Sequence, residues 1–145
     1  MGIKKQEFYE GAALHQLARA GKLQSVCYKA PFFFVNSQLC VLMKYSTKIR
    51  SPWGFTFTPE EQSLLLEQSA FHKIIIALIC GSDGIAAFGY TILSSIARRR
   101  SNAVHVACHR QRGEHYEISG PDGIASRKIS PSHWIRILDQ KGSSV

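Results

Sequence analysis

Apolar residues recur at helical spacing in the segment KQEFYEGAALHQLARA, which covers residues 5–20. The apolar positions are Phe8, Ala12, Leu14 and Leu17. A stripe of this period is typical of an amphipathic helix. Gly21 follows directly, and glycine is a common residue at helix ends. We therefore expect the first element to be an amphipathic helix over this segment.

Short apolar runs after this helix predict strands, because β-branched and aromatic residues bounded by turn residues favour extended structure. The runs are QSVCYKA at 24–30, FFFV at 32–35 and LCVLMKYS at 39–46. The polar residues 36–38 predict a hairpin turn between the last two runs. We expect the third strand to continue, bent, through Ile49 and Pro52 to GFTF at 54–57.

A helix and a buried strand are predicted next. The sequence TPEE at 58–61 combines a threonine cap, a proline at the first helical position and acids in the first turn. This helix should extend to about Ala70. The run HKIIIALIC at 72–80 is almost entirely apolar, which is typical of a central strand buried on both faces.

The rest of the chain alternates turn signals with further apolar runs. We expect a turn at 81–84, a strand that becomes helical near Tyr90 within 85–97, a hairpin of strands at 103–110 and 114–119, a turn at 120–123, and a closing segment at 129–138. Such an order of elements predicts an α/β fold of the α+β type, with a central mixed β-sheet flanked by helices. The 145 residues fit one domain, with a core at 1–97 and a C-terminal hairpin region at 98–145.

Charge and cysteine usage narrow the expected setting. The net charge is +8, and residues 98–145 alone carry nine basic and four acidic side chains. A basic balance of this size favours an anionic partner such as nucleic acid, although basicity can also serve solubility. No run reaches the about 18 apolar residues of a membrane span, and the segment MGIKKQEFYEG has no apolar signal core. We expect a cytoplasmic protein whose four cysteines are buried and reduced.

The order of elements over residues 5–95 resembles the restriction-endonuclease-like, or PD-(D/E)xK, nuclease fold. The resemblance is carried by the first helix, the strand at 31–34, the VLMK strand, the helix after FTFTPEE, and the IIIALIC strand. In that family an aspartate, often after proline, and an acid two residues before a lysine hold a divalent metal. The metal and the lysine activate water for attack on phosphate. The resemblance implies a restriction-endonuclease-like core with an added C-terminal β-hairpin region.

The acidic residues of that pattern are absent here. The Pro-Asp place contains Pro31 and Phe32, and the acid-x-Lys place contains Leu42, Met43 and Lys44. No Asp or Glu occurs anywhere from residue 11 to residue 59. Because Mg²⁺ prefers carboxylate oxygens, we expect no metal site and no nuclease activity, and the sequence indicates no cofactor.

Three interpretations of Lys44 stay open. It is an ordinary strand-end lysine whose stem lies along apolar surface, a residual phosphate contact of a degenerate nuclease, or part of a working active site. Acids Glu7 and Glu10 on the first helix cannot build a metal site alone. Glu60 and Glu61 are explained by the helix start.

Basic side chains elsewhere are the candidate phosphate contacts, since arginine and lysine suit phosphate oxygens. Together with Lys44 the candidate nucleic-acid-binding residues are Lys48, Arg50, Arg98, Arg99, Arg100, Arg110 and Arg112. The three consecutive arginines also suit the C-terminal end of a helix. Trp53 and Trp134 are interpreted as packing residues rather than as platforms for base stacking.

A cluster of metal-ligand residue types in HVACHRQRGEHYE raises the question of zinc. The residues are His105, Cys108, His109 and His115. In the expected hairpin His109 faces Glu114 and Cys108 faces His115, which divides the four between two faces. A tetrahedral site needs convergent ligands, so zinc is not expected.

Nucleic-acid binding through phosphate contacts, without catalysis, is the function that these features favour. DNA and RNA are not distinguished. The alternatives are a protein-interaction or oligomerisation module, including a homo-oligomer, and a metal-dependent nuclease with a non-standard site. Binding to a membrane is not expected.

Overall fold

A computed structural model describes residues 2–139, which form a mixed α/β structure with two β-sheets and three α-helices. In chain order the elements are α1 (Lys5–Ala20), β1 (Val26–Lys29), β2 (Phe32–Val35), β3 (Leu39–Ser46), β4 (Trp53–Phe57), α2 (Pro59–Gln68), β5 (Lys73–Cys80), β6 (Gly84–Gly89), α3 (Tyr90–Ile96), β7 (Val104–His109), β8 (Glu117–Gly120) and β9 (Gly123–Ile124). A single 3₁₀ turn follows at Trp134–Arg136.

Sheet 1 contains five strands in the order β1-β2-β3-β5-β6. Strands β3 and β5 pair in parallel, and the other neighbours are antiparallel. The parallel pair requires a long connection, which here contains β4 and α2. Strand β5 is buried along almost its whole length, as its continuous apolar run predicts. The sequence therefore specified a mixed sheet with a central buried strand.

Sheet 2 contains β4, β7, β8 and β9, all antiparallel. The expectation of one sheet in which β3 continues into β4 is therefore wrong. Residues 47–52 form a loop between the two strands, and β4 pairs with β7 instead. The physical reason lies in the strand itself, because buried and exposed residues alternate along β4. A strand of this kind suits a sheet with one solvent face.

Two apolar cores lie on opposite faces of sheet 1. The first core fills the space between sheet 1 and the inner face of sheet 2, and it includes side chains of α2 and α3. The second core joins the other face of sheet 1 to α1 and to Trp134. Both Trp53 and Trp134 are buried, and the indole of Trp134 donates a hydrogen bond to the carbonyl of Ala13 at 3.0 Å. These tryptophans pack in the cores, as the sequence favoured.

The apolar stripe of α1 differs from the expected one. Ala13 and Leu17 are buried, whereas Phe8 is exposed and Ala12 faces solvent. Sheet 1 accepts only a narrow face near the C-terminal half of the helix. The helix ends at Gly21 as predicted, in the left-handed conformation with a φ of 95°.

Two further expectations need correction. Cys27 is exposed on the edge strand β1, although Cys40, Cys80 and Cys108 are buried. The second hairpin also has a longer loop than expected, so Cys108 pairs with Ile118 and His109 pairs with Glu117. Extra loop residues shift the register of the whole hairpin.

Candidate functional site

Lys44 forms an internal ion pair. Its Nζ lies 2.7 Å and 2.8 Å from the two carboxylate oxygens of Glu61. Each side chain is 19% exposed, and the ammonium lies 5.3 Å from the ring centroid of Phe57. The lysine is thus half-buried and neutralised by a carboxylate from a different element.

Glu61 also caps helix α2. Its Oε1 accepts a hydrogen bond from the backbone N–H of Thr58 at 3.0 Å, and its own N–H donates to Thr58 Oγ1 at 3.1 Å. This reciprocal capping box is the one that the sequence TPEE predicts. The contact with Lys44 was missed, because α2 had to be placed beside β3 before the pair could be recognised.

A groove of about 410 Å³ opens around this ion pair. Strand β2 pairs only with Leu39–Leu42, so the second half of β3 has no neighbour on that side. Residues of α1, β4 and α2 form the remaining walls. The polar residues of the Lys44 groove are Gln6, Glu10, Lys44, Tyr45, Thr56 and Glu61.

Glu10 brings a second carboxylate to the groove. Burial raises its pKa, a hydrogen bond from Gln6 Nε2 at 2.9 Å opposes that effect, and the nearby charge of Glu7 adds to it. The strands β1, β2 and β3 contribute no carboxylate to the groove, as the sequence shows. The explanation of Glu61 by the helix start alone is incomplete, because α1 and α2 place Glu10 and Glu61 at the groove.

A histidine contacts one of the residues that line the Lys44 groove. Thr56 lines the groove on β4, and its Oγ1 lies 2.9 Å from Nδ1 of His105 on β7. Within residues 2–139 no group of three or more His, Cys, Asp and Glu side chains is placed to hold a metal ion. The arrangement offers one ammonium and two carboxylates, which can bind and transfer protons.

Apart from Lys44 and the three consecutive arginines at 98–100, four candidate residues remain. They lie on loops at one end of sheet 2. Here β4 begins at Trp53, opposite Cys108 of β7. The loops 47–52 and 110–116 meet where Ser51 Oγ accepts a hydrogen bond from the backbone N–H of Arg110 at 3.0 Å. We call this region the loop end; it carries Lys48, Arg50, Arg110 and Arg112.

The four cations of the loop end differ in availability. Lys48, Arg50 and Arg112 are exposed, and Lys48 Nζ donates to the carbonyl of Pro52 at 2.8 Å. The Arg110 guanidinium is already engaged, because it donates to the carboxylate of Asp83 at 2.9 Å and to the carbonyl of Glu114 at 2.6 Å.

The Arg110 contacts continue into Tyr116. The guanidinium lies 5.2 Å from the ring centroid of Tyr116, whose hydroxyl donates to Asp83 at 2.6 Å. The hydrogen bond to Asp83 raises the pKa of Arg110, and burial raises the pKa of Tyr116. Arg110 joins the β5–β6 turn to sheet 2, which is a structural role that its sequence position did not reveal.

The three consecutive arginines lie at the opposite end of sheet 2, where Val104 pairs with Phe57. Arg100 forms an ion pair with Asp122, and the backbone N–H of Arg98 donates to the same carboxylate at 2.7 Å. These contacts, with the Arg98 N–H first, lower the pKa of Asp122. Arg99 Nη2 donates to Ser63 at 3.2 Å. The candidates therefore fall into three places: the Lys44 groove, the loop end and this arginine end.

No family model, curated protein or solved structure matches the chain. Among the helices of residues 2–139, none is both long enough and apolar enough to cross a membrane.

Proposed function

We propose that the protein binds nucleic acid through phosphate contacts at the loop end, without cleaving it. The observation that carries the proposal is the meeting of loops 47–52 and 110–116 at one end of sheet 2. These two loops carry the exposed side chains of Lys48, Arg50 and Arg112. Exposed cations retain the ability to replace counterions on a phosphate backbone. Paired cations such as Lys44 and Arg110 have already lost much of it.

The outward face of sheet 2 supports this placement. Small side chains occupy one row across three strands, where Gly54 pairs with Ala107 and Ala107 pairs with Ser119. A backbone can approach a sheet closely along such a row. The exposed arginines Arg98 and Arg99 lie at the far end of the same sheet, so exposed basic residues flank this row on both sides.

A degenerate restriction-endonuclease-like core is part of this proposal. The succession of α1, the hairpin strands, α2 and a buried strand parallel to β3 supports it. The absence of carboxylates on β1, β2 and β3 supports the loss of the metal chemistry of that family.

The test is a binding titration with duplex DNA, single-stranded DNA and RNA at two salt concentrations, with and without Mg²⁺. We expect salt-dependent binding and intact nucleic acid. The variant Lys48→Ala/Arg50→Ala/Arg112→Ala should bind at least about tenfold more weakly, with the duplex salt slope reduced by about 2–3. The control Lys5→Ala/Arg19→Ala removes exposed charge from α1 and should change affinity much less.

Equal losses in the triple variant and in the α1 control would show that binding is only a matter of net charge. No binding at low salt would contradict the proposal and favour the protein-interaction alternative. That alternative would use the open edge strand β1, where Tyr28 is 51% exposed.

The second candidate function is hydrolysis in the Lys44 groove, as a nuclease with a non-standard site. The specific observation in its favour is Glu10, whose raised pKa suits a proton carrier beside Lys44 and Glu61. Cleavage that requires Mg²⁺ or Mn²⁺ and is lost in both Lys44→Ala and Glu10→Gln would establish it. Cleavage retained in both variants would exclude this groove.

A further inference from the structure

Two buried thiols face each other across the first core. Cys80 lies at the end of β5 in sheet 1, and Cys108 lies in β7 of sheet 2. Their sulfur atoms are 3.7 Å apart although the residues are 28 positions apart in the chain. Both residues have no solvent exposure.

We propose that Cys80 and Cys108 form a redox-active pair that is converted by a hydroperoxide into a disulfide between the two sheets. A disulfide needs the sulfurs to approach to about 2.05 Å, so the two side chains must move together from their 3.7 Å contact.

The chemistry uses one equivalent of oxidant. The two sulfurs are 3.7 Å apart, so either can react first; in one order Cys108 is the nucleophile. Its sulfur attacks the peroxide, the O–O bond breaks, and a sulfenic acid and one water form. The Cys80 sulfur then displaces the hydroxyl as a second water and closes the S–S bond. Two thiols lose two electrons and two protons, and hydrogen peroxide is reduced to two waters.

The cysteine pair lies next to an ion pair that joins the two sheets. Cys80 precedes the turn that carries Asp83, and Cys108 precedes the loop that carries Arg110. Those two side chains form the 2.9 Å contact that already joins the sheets noncovalently. A disulfide would make the same junction covalent, and it would hold the loop end in place when the surrounding contacts open.

Burial determines the rate. The contact with Cys108 and burial both raise the pKa of Cys80, so reaction requires a peroxide to reach a site without solvent access. The pair should therefore oxidise more slowly than an exposed thiol such as Cys27. We expect a response to sustained rather than brief oxidation.

The experiment uses the full chain in a Cys27→Ser background, which removes the exposed thiol. The folded protein is treated with hydrogen peroxide well below its melting temperature and is then denatured and alkylated. Three cysteines remain in this background, so the untreated protein should carry three alkyl groups and the oxidised protein only one, on Cys40. Tryptic digestion without reductant should yield residues 74–98 joined to residues 101–110. The melting temperature should rise by about 5–10 °C and return after reduction.

Matched variants identify the partners. Cys40→Ala removes a third buried thiol of the same core and should leave the cross-linked peptide unchanged. Cys108→Ala should abolish it while the melt before oxidation shows a folded protein. Failure of the cross-link in folded Cys27→Ser protein, or a cross-link that contains Cys40, would overturn the proposal.

Discussion

The Lys44 groove and the loop end both contain basic side chains, but these side chains are paired in the groove and mostly exposed at the loop end. At the groove the Lys44 side chain is 19% exposed, and its ammonium lies within 2.8 Å of a carboxylate oxygen. At the loop end Lys48, Arg50 and Arg112 are exposed on loops. In the groove Lys44 joins β3 to α2 through Glu61. At the loop end the exposed cations are available to a binding partner.

Backbone contacts explain how the loop end can leave its charges exposed. Gly81 donates its N–H to the carbonyl of Ser46 at 2.9 Å, and a side chain at Gly81 would collide with the carbonyl oxygen of Lys48. Ser51 and Arg110 meet through a backbone N–H. Because these contacts use backbone groups and the Ser51 hydroxyl, the loops are held without the side chains of Arg50 and Arg112. Lys48 adds one hydrogen bond to the carbonyl of Pro52 within its own loop.

The largest effect on this comparison is expected from Gly81→Ala. Gly81 has a φ of 56°, and the added Cβ would meet the backbone of Lys48. Strain and displacement together should lower the free energy of unfolding by about 3 kcal/mol. Gly113→Ala is the control, because its φ is 81° but no atom lies near the added Cβ. It should lose only about 1 kcal/mol. Urea unfolding measures both, and equal losses would show that the close approach is unimportant.

Breaking the ion pair of the groove should have the next largest effect. Lys44→Met leaves the half-buried Glu61 without its cation and should lower the free energy of unfolding by about 2 kcal/mol. Glu61→Gln keeps a side chain that can cap α2. The double variant should therefore lose less than the sum of the single variants in urea unfolding. Additive losses would mean that the pair contributes nothing to stability.

Within the loop end Arg110 has a structural role, whereas Lys48, Arg50 and Arg112 are exposed. Arg110→Gln removes the ion pair with Asp83 and the contact with the Tyr116 ring. We expect a loss of about 1–2 kcal/mol of stability. Affinity for nucleic acid should change less than in Arg112→Gln, when both are measured with duplex DNA well below the melting temperature. The reverse order would show that Arg110 contacts the partner.

The smallest effect is expected at the arginine end, where Asp122 should contribute to the pH dependence of the free energy of unfolding. The pKa of Asp122 is lowered in the folded protein by the Arg98 N–H and then by the Arg100 guanidinium. Its contribution to stability is therefore present above the unfolded pKa of about 4 and is lost as the pH falls through the lower folded value. Asp122→Asn should reduce the difference in unfolding free energy between pH 7 and acid.

Asp139→Asn removes a more exposed carboxylate that pairs with Lys22 and serves as the control for this pH comparison. Urea unfolding at both pH values measures each variant against the parent chain. If the acid sensitivity of Asp122→Asn equals that of the parent, the Asp122 contacts do not contribute to it.

Local sequence predicted the elements better than their partners. The bounds of β3 are those expected, and α2 begins at the expected TPEE signal because capping is decided by residues within one turn. The stripe of α1 was misjudged at Phe8, since burial of a helix face depends on what packs against it. The register of the second hairpin was misjudged because its loop length decides which residues pair.

The candidate site shows the same division. Lys44 was singled out from the sequence, but its partner Glu61 lies 17 positions away on a helix whose placement is set by packing. Arg110 and Arg112 are alike in sequence, and only Asp83 and Tyr116 distinguish them. No local pattern encodes contacts between a turn of sheet 1 and a loop of sheet 2.

By itself the sequence determined the α/β composition, the buried strand β5, the capped helix α2 and the lack of carboxylates on the first three strands. These follow from side-chain spacing and residue type, which act over a few residues. The tertiary structure decided that β4 leaves sheet 1 for sheet 2, which cations are neutralised, and which two cysteines meet. Those outcomes depend on packing between distant segments, where the stability of one contact depends on all the others around it.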